Sequence, residues 1–144
     1  MKQKTDVLPG KSDRFGKQRI GALGEEIAAR YLEGKGFSVV CRNYRKRFGE
    51  IDIVVKKKSV IRFIEVKTVS VSNVKDTSFG RNDHFRPEDN VHPAKLKRLS
   101  RAIQAYLVEY RMGDEAEWQF DVVTVVLDEE GKSARVKWLE DIIL

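Results

Sequence analysis

Two apolar, β-branched runs stand back to back between Gly49 and Thr68, and they constrain the fold more than any other part of the chain. The first is Glu50-Ile51-Asp52-Ile53-Val54-Val55. The second is Val60-Ile61-Arg62-Phe63-Ile64-Glu65-Val66-Lys67, and a polar link from Lys56 to Ser59 joins them. Such composition predicts two strands, and so short a link predicts that they pair antiparallel. Each strand carries an acidic residue among side chains suited to a core, and a carboxylate so placed is costly unless paired or metal-bound. Antiparallel pairing brings Asp52 and Glu65 within reach of one ion. Alternation puts Glu65 and Lys67 on a common face, with Ile61 and Phe63.

An aspartate, twelve intervening residues and then Glu-x-Lys on an apolar strand is a set of groups suited to metal-dependent phosphodiester hydrolysis. Two carboxylates hold a hard divalent cation through oxygen, and an ammonium beside them positions the attacking water. Glu-x-Lys recurs at Glu33-Gly34-Lys35, where a helix closes, and at Glu130-Gly131-Lys132, in a turn; both contexts predict solvated surface. The plainer alternative at Glu65 and Lys67 is a simple ion pair on an exposed face.

A chain of 144 residues predicts one domain with a proper core. The lone Cys41 excludes a disulfide framework and a multi-cysteine zinc site, and His84 and His92 alone make a histidine-based metal centre a poor fit. No segment has the length of a transmembrane helix and the start of the chain has no apolar signal core, so a reducing cytoplasm is the expected setting and no membrane partner is expected. Net charge is +6, distributed unevenly: residues 114–144 hold nine acidic and three basic side chains, which leaves +12 on residues 1–113. Arg42, Arg45, Lys46 and Arg47 form one basic cluster, Lys56, Lys57 and Lys58 a second, and Lys95, Lys97, Arg98 and Arg101 a third. This imbalance suits a polyanion, with Arg42, Arg45, Arg47, Lys95 and Arg98 as candidate contacts to nucleic acid, DNA before RNA.

Residues 1–18 lack apolar periodicity and predict a flexible basic arm ahead of a single domain over 19–144. A helix is expected from about Arg19 to Lys35 on the stripe Ile20, Leu23, Ile27, Ala28, Tyr31 and Leu32. Strands are expected near 37–43, 50–56 and 60–69. A polar, aperiodic stretch from Ser70 to Asn90 exceeds a routine connection. A second helix starts at Pro93, runs to about Tyr110, and buries Leu96, Leu99, Ile103, Tyr106, Leu107 and Tyr110. Strands near 118–127 and 134–138 follow, then a short terminal segment. The order α-β-β-β-α-β-β predicts an α/β fold, a central mixed β-sheet flanked by helices, which matches a restriction-endonuclease-like core.

Several motifs resemble the YraN family of small bacterial proteins: Gly24-Glu25-Glu26-x-Ala28-Ala29-Arg30-Tyr31-Leu32, Arg42-Asn43-Tyr44-Arg45, Gly49-Glu50-Ile51-Asp52, Phe63-Ile64-Glu65-Val66-Lys67-Thr68, His92-Pro93-x-Lys95 and Phe120-Asp121-Val122-Val123. That family is similar to restriction-endonuclease-like nucleases and archaeal Holliday-junction resolvases. The resemblance implies a nuclease core of Asp52, Glu65 and Lys67, with a glutamate from the first helix, and branched or structured DNA as substrate. Relatives carry a basic residue soon after Lys-Thr, where this chain has Val69-Ser70-Val71-Ser72. Helical geometry selects Glu25 for that glutamate, because it lies at the edge of the buried stripe while Glu26 points toward solvent; a plainer role for Glu25 is to favour the helix dipole.

The expected cofactor is Mg²⁺ or Mn²⁺ on Asp52, Glu65 and the main-chain carbonyl of Val66, with Lys67 acting on water or on developing charge. Asp121 is expected to make a structural ion pair or hydrogen bond. Glu50 is expected at the surface, and Tyr44 to pack rather than stack on a base. The rival functions are a non-catalytic nucleic-acid-binding module of the same fold and a scaffold protein docking through its acidic C-terminal part. Among partners, a second copy of the chain in a homodimer is one open option.

Overall fold

The structure, a computed structural model, describes residues 9–71, 93–128 and 133–144. Most of the polar stretch predicted from Ser70 to Asn90, with His84, lies outside the described residues, as do His92 and the turn around Gly131. The elements are α1 (Pro9–Gly34), β1 (Ser38–Lys46), β2 (Gly49–Lys57), β3 (Val60–Val71), α2 (Pro93–Glu109), β4 (Glu117–Asp128) and β5 (Ser133–Leu139). They occur in the predicted order. Helix α1 begins ten residues before the expected Arg19, within the stretch expected to be an arm. Pro9 stands at its first position, where a missing N–H breaks no intrahelical bond. The helix closes at Gly36, whose φ of 95° suits glycine, with Phe37 N–H donating to the Leu32 carbonyl.

One five-stranded sheet has the order β1-β2-β3-β4-β5. Its pairs are antiparallel except β3 with β4, which run parallel, the connection between them including α2. The sheet is therefore mixed, with one helix packed on each face. On one face α2 covers Ile51, Val54, Ile61, Phe63, Phe120 and Val122 with Leu99, Ala102, Ile103 and Tyr106. On the other, α1 covers Ile53, Val55, Ile64, Val123 and Val125 with Ala28, Ala29 and Leu32. Two predicted core residues are exposed: Leu23 at 51% and Tyr110 at 50%. The buried stripe of α1 centres on Gly24, Ala28 and Leu32, which turns Leu23 outward; Tyr110 follows the last residue of α2 and stacks on Tyr106 from outside.

Two glycines set how closely the helices sit. A Cβ at Gly24 would collide with the side chain of Thr68 in β3, and one at Gly49 would lie 2.5 Å from the Arg98 carbonyl oxygen in α2. Both approaches require a backbone without a side chain. The edge strand β1 carries a register shift between Val39 and Cys41, so Val40 forms a bulge.

In β4, opposite Ile64 of β3, the fully buried Asp121 carboxylate accepts four hydrogen bonds. Arg62 donates at 3.2 Å, the Gln119 amide at 2.9 Å, the Trp138 indole at 2.9 Å and the Asp141 N–H at 2.8 Å. The Arg62 guanidinium also bonds Glu140 and lies over the Phe37 and Trp138 rings. This is the structural role expected of Asp121, and it ties β3, β4 and the C-terminal segment together. Asp121→Ala leaves three donors without their acceptor and Arg62 with Glu140 as its sole ion-pair partner among the described residues. It should cost about 3–5 kcal/mol of unfolding free energy in urea titrations, and a loss below about 1 kcal/mol would contradict the network.

Candidate active site

The antiparallel ladder of β2 and β3 ends at the pair Ile53 and Ile64. One residue further the register would set Asp52 opposite Glu65. Instead the Asp52 Oδ2 accepts the Val66 N–H at 2.8 Å, a side chain taking the place of a strand carbonyl. The alternation of β2 slips at the same point: Ile51 shares the α2-side core with Val54, while Ile53 and Val55 face α1. Because N–H and C=O of one strand residue point to the same side, the Val66 carbonyl also faces the gap where the two strands part.

The close approach of α1 at Gly24 brings the next residue, Glu25, to that gap. Its carboxyl lies in the same cleft as that of Asp52, close enough for the two to oppose each other's ionisation. Its neighbour Glu26 turns away and pairs with Arg30 at 3.0 Å and Arg42 at 2.8 Å. Glu65 projects to the α2 side, as its alternation predicts, where Lys95 Nζ meets its Oε1 at 2.6 Å. Lys67 makes no ion pair among the described residues, so the simple Glu65–Lys67 pair is not what forms. Glu25, Asp52, Glu65, Val66, Lys67 and Lys95 line one cleft of about 690 Å³.

Three carboxyls in one place strain their own ionisation. Burial holds Glu25 above the usual carboxylate range, helped by the Asp52 charge. Burial also raises Asp52, against the opposing Val66 N–H. Burial and the Asp52 charge push Glu65 up to about 7, outweighing the Lys95 ammonium beside it. Among the described residues no three His, Cys, Asp or Glu side chains are already arranged as a metal cluster. Asp52 and Glu65 are engaged with an N–H and an ammonium, so a divalent ion must take over both carboxylates. The oxygen-only donor set of two carboxylates and a strand carbonyl still suits Mg²⁺ or Mn²⁺.

The basic candidates divide. Arg42 is paired to Glu26 and Arg45 to Glu50 at 3.3 Å, so neither is a free cation. Lys95 is committed to Glu65, and no sequence signal announces a bond between residues so far apart in the chain. Arg47 and Arg98 have no ion-pair partner among the described residues and line a second cavity of about 430 Å³. Tyr44 is 6% exposed, stacks edge-on with Tyr106 and donates to Glu109 at 2.9 Å, so it packs and does not present a face to a base.

Fold and cleft together define an α/β protein with a carboxylate-lined cleft at the parting of two central strands. The chain belongs to the family described as uncharacterised protein family UPF0102, whose model matches residues 24–125 and so takes in every motif that resembles YraN proteins, from Gly24 to Val123. Similar proteins include a UPF0102 protein of Syntrophus aciditrophicus, 39% identical over 85% of this chain and 87% of its own length. Another, of Alkaliphilus oremlandii, is 38% identical over 78% of this chain and 89% of its own. One of Coxiella burnetii is 31% identical over 88% and 92%. No described helix is long and apolar enough to cross a membrane.

The raised Glu65 fixes a pH dependence. A carboxyl that ordinarily titrates at 4.5 and is pushed to about 7 in the fold binds its proton more tightly folded than unfolded. Stability of the metal-free protein therefore falls as pH rises from about 4.5 to about 7, and levels off above. Glu65→Gln should make that fall shallower in urea titrations across the same range. An unchanged slope would place the effect on another group.

Proposed function

We propose that the protein is a metal-dependent nuclease that hydrolyses phosphodiester bonds of DNA, with branched or structured DNA as the substrate class the family resemblance suggests. The observation that carries this reading is the meeting of Asp52, Glu65 and the Val66 carbonyl at the end of the β2–β3 ladder, beside a Lys67 with no ion-pair partner among the described residues. Asp52, Glu65 and Val66 would hold Mg²⁺ or Mn²⁺. When bound, such an ion polarises a phosphate and lowers the pKa of water. Glu25 lies beside Asp52 in the cleft, and its carboxylate, once ionised, is placed to take a proton there. Lys67 orients the water or offsets charge growing on phosphate, an effect realised in the transition state. Arg47 and Arg98 remain as cations for the nucleic-acid backbone, whereas Arg42 and Arg45 must first leave Glu26 and Glu50.

Calorimetry with Mn²⁺ on the wild type and Asp52→Ala tests the metal: binding should be lost in the variant, and equal binding in both rules the site out. Lys67→Ala should keep its melting temperature and its DNA affinity while single-turnover cleavage falls at least about a hundredfold. A destabilised variant that cleaves normally would remove Lys67 from the chemistry. DNA affinity should drop steeply with added salt, and charge reversal at Arg47 and Arg98 should flatten that dependence by roughly one unit of log–log slope for each phosphate no longer neutralised. Affinity indifferent to salt would make the basic surface an ordinary solvated face.

A further inference from the structure

The carboxylate cleft and the basic cavity adjoin, and among the described residues Glu65 and Lys95 alone line both. Their ion pair, at 2.6 Å, is thus the partition between the place where acid collects and the place where base collects. The partners are unlike. The Glu65 side chain is 10% exposed and held by its strand, while that of Lys95 is 46% exposed, on the first turn of α2. The helix backbone itself is fixed, because Gly49 lets the Arg98 carbonyl pack against β2. Only the Lys95 side chain is free to turn, and the basic cavity is where it can turn to. In that cavity Arg45 is already neutralised by Glu50, and Lys46 by Glu109 at 2.8 Å. Uncommitted positive charge is therefore scarce there, and a released ammonium joins Arg47 and Arg98 in offering it.

We propose that Lys95 is a positioning residue, a resident cation that holds Glu65 until a divalent metal takes that carboxylate, and then turns into the basic cavity to receive a phosphate of the bound strand. This rests on the metal-dependent reading above. The physical ground is competition for one carboxylate: an ammonium and a divalent ion a few ångströms apart repel, so the two cannot share Glu65 without cost. The partition therefore opens as the metal enters, and the carboxylate cleft becomes continuous with the phosphate-binding side. Substrate affinity and metal affinity become linked through one side chain, each promoting the other.

The test is Mn²⁺ titration of the full chain by calorimetry in wild type, Lys95→Met and Lys95→Arg, followed by binding of a short fluorescent single-stranded DNA with and without Ca²⁺. Lys95→Met should bind Mn²⁺ roughly tenfold more tightly, since the competing charge is gone, while Lys95→Arg stays near wild type. Ca²⁺ should strengthen DNA binding in the wild type and do so less in Lys95→Met. Equal Mn²⁺ affinity in wild type and Lys95→Met overturns the displacement and leaves the metal site standing. Absence of Mn²⁺ binding in every protein overturns the metal reading itself and the displacement with it. Without metal, Lys95→Met should lower the melting temperature in the Glu65 background and have little effect on Glu65→Gln. Equal lowering in both backgrounds overturns the resident-cation role.

Discussion

The site depends on one hydrogen bond, from the Val66 N–H to the Asp52 carboxylate. It stands where a main-chain bond of the β2–β3 ladder would otherwise continue, so the two strands part without leaving the Val66 amide orphaned. Burying an unpaired amide there would be expensive. The same bond orients Asp52, and the slip in the alternation of β2 lets the strand give Ile51 to one core and Ile53 to the other while a charged side chain sits between them. Strand parting, satisfied backbone and acidic cleft are one arrangement. Gly24 then admits α1 closely enough to place Glu25 beside it.

Such a cleft works against folding. Three carboxyls whose protonation is favoured by burial and mutual repulsion lower the stability of the ionised, metal-free state. Compensation comes from the rest of the sheet. Phe63, Phe120, Ile103 and Leu32 are among the largest side chains fully removed from water, and the Asp121 hub ties β3 and β4 to the C-terminal segment. Strands β3 and β4 pair over twelve residues each, Val60–Val71 against Glu117–Asp128. That parallel pair is a rigid floor on which Glu65 and Lys67 are held while the β2 side gives way.

Much of this was legible in the chain because it rests on periodicity. The apolar runs around Ile53 and Ile64 announce strands, their short link announces antiparallel pairing, and period two places Glu65 with Ile61 and Phe63 on the side of α2. Helical geometry likewise separates Glu25 from Glu26. What the chain conceals is choice among charged partners. Arg42, Arg45 and Lys95 look alike in sequence, yet one joins Glu26, one Glu50 and one Glu65. Long flexible side chains find their partners through tertiary proximity, which local pattern does not encode. The early start of α1 was concealed for a related reason: residues 9–18 hold few apolar side chains, so the helix there leaves no stripe to detect.

The outer strand β1 has its own bearing on how copies of the protein meet. Among the described residues it is a margin of the sheet, and a margin offers main-chain groups of the kind that recruit a strand from a neighbour. Its bulge at Val40 interrupts the regular spacing such recruitment needs, and Asn43, at a φ of 53°, bends it again. Between and beyond these irregularities stand Arg42, Arg45 and Lys46, each held by an acidic partner, Glu26, Glu50 and Glu109 in turn, so a strand docking edge to edge must approach past these ion pairs. Self-templated sheet extension is thereby discouraged on that side.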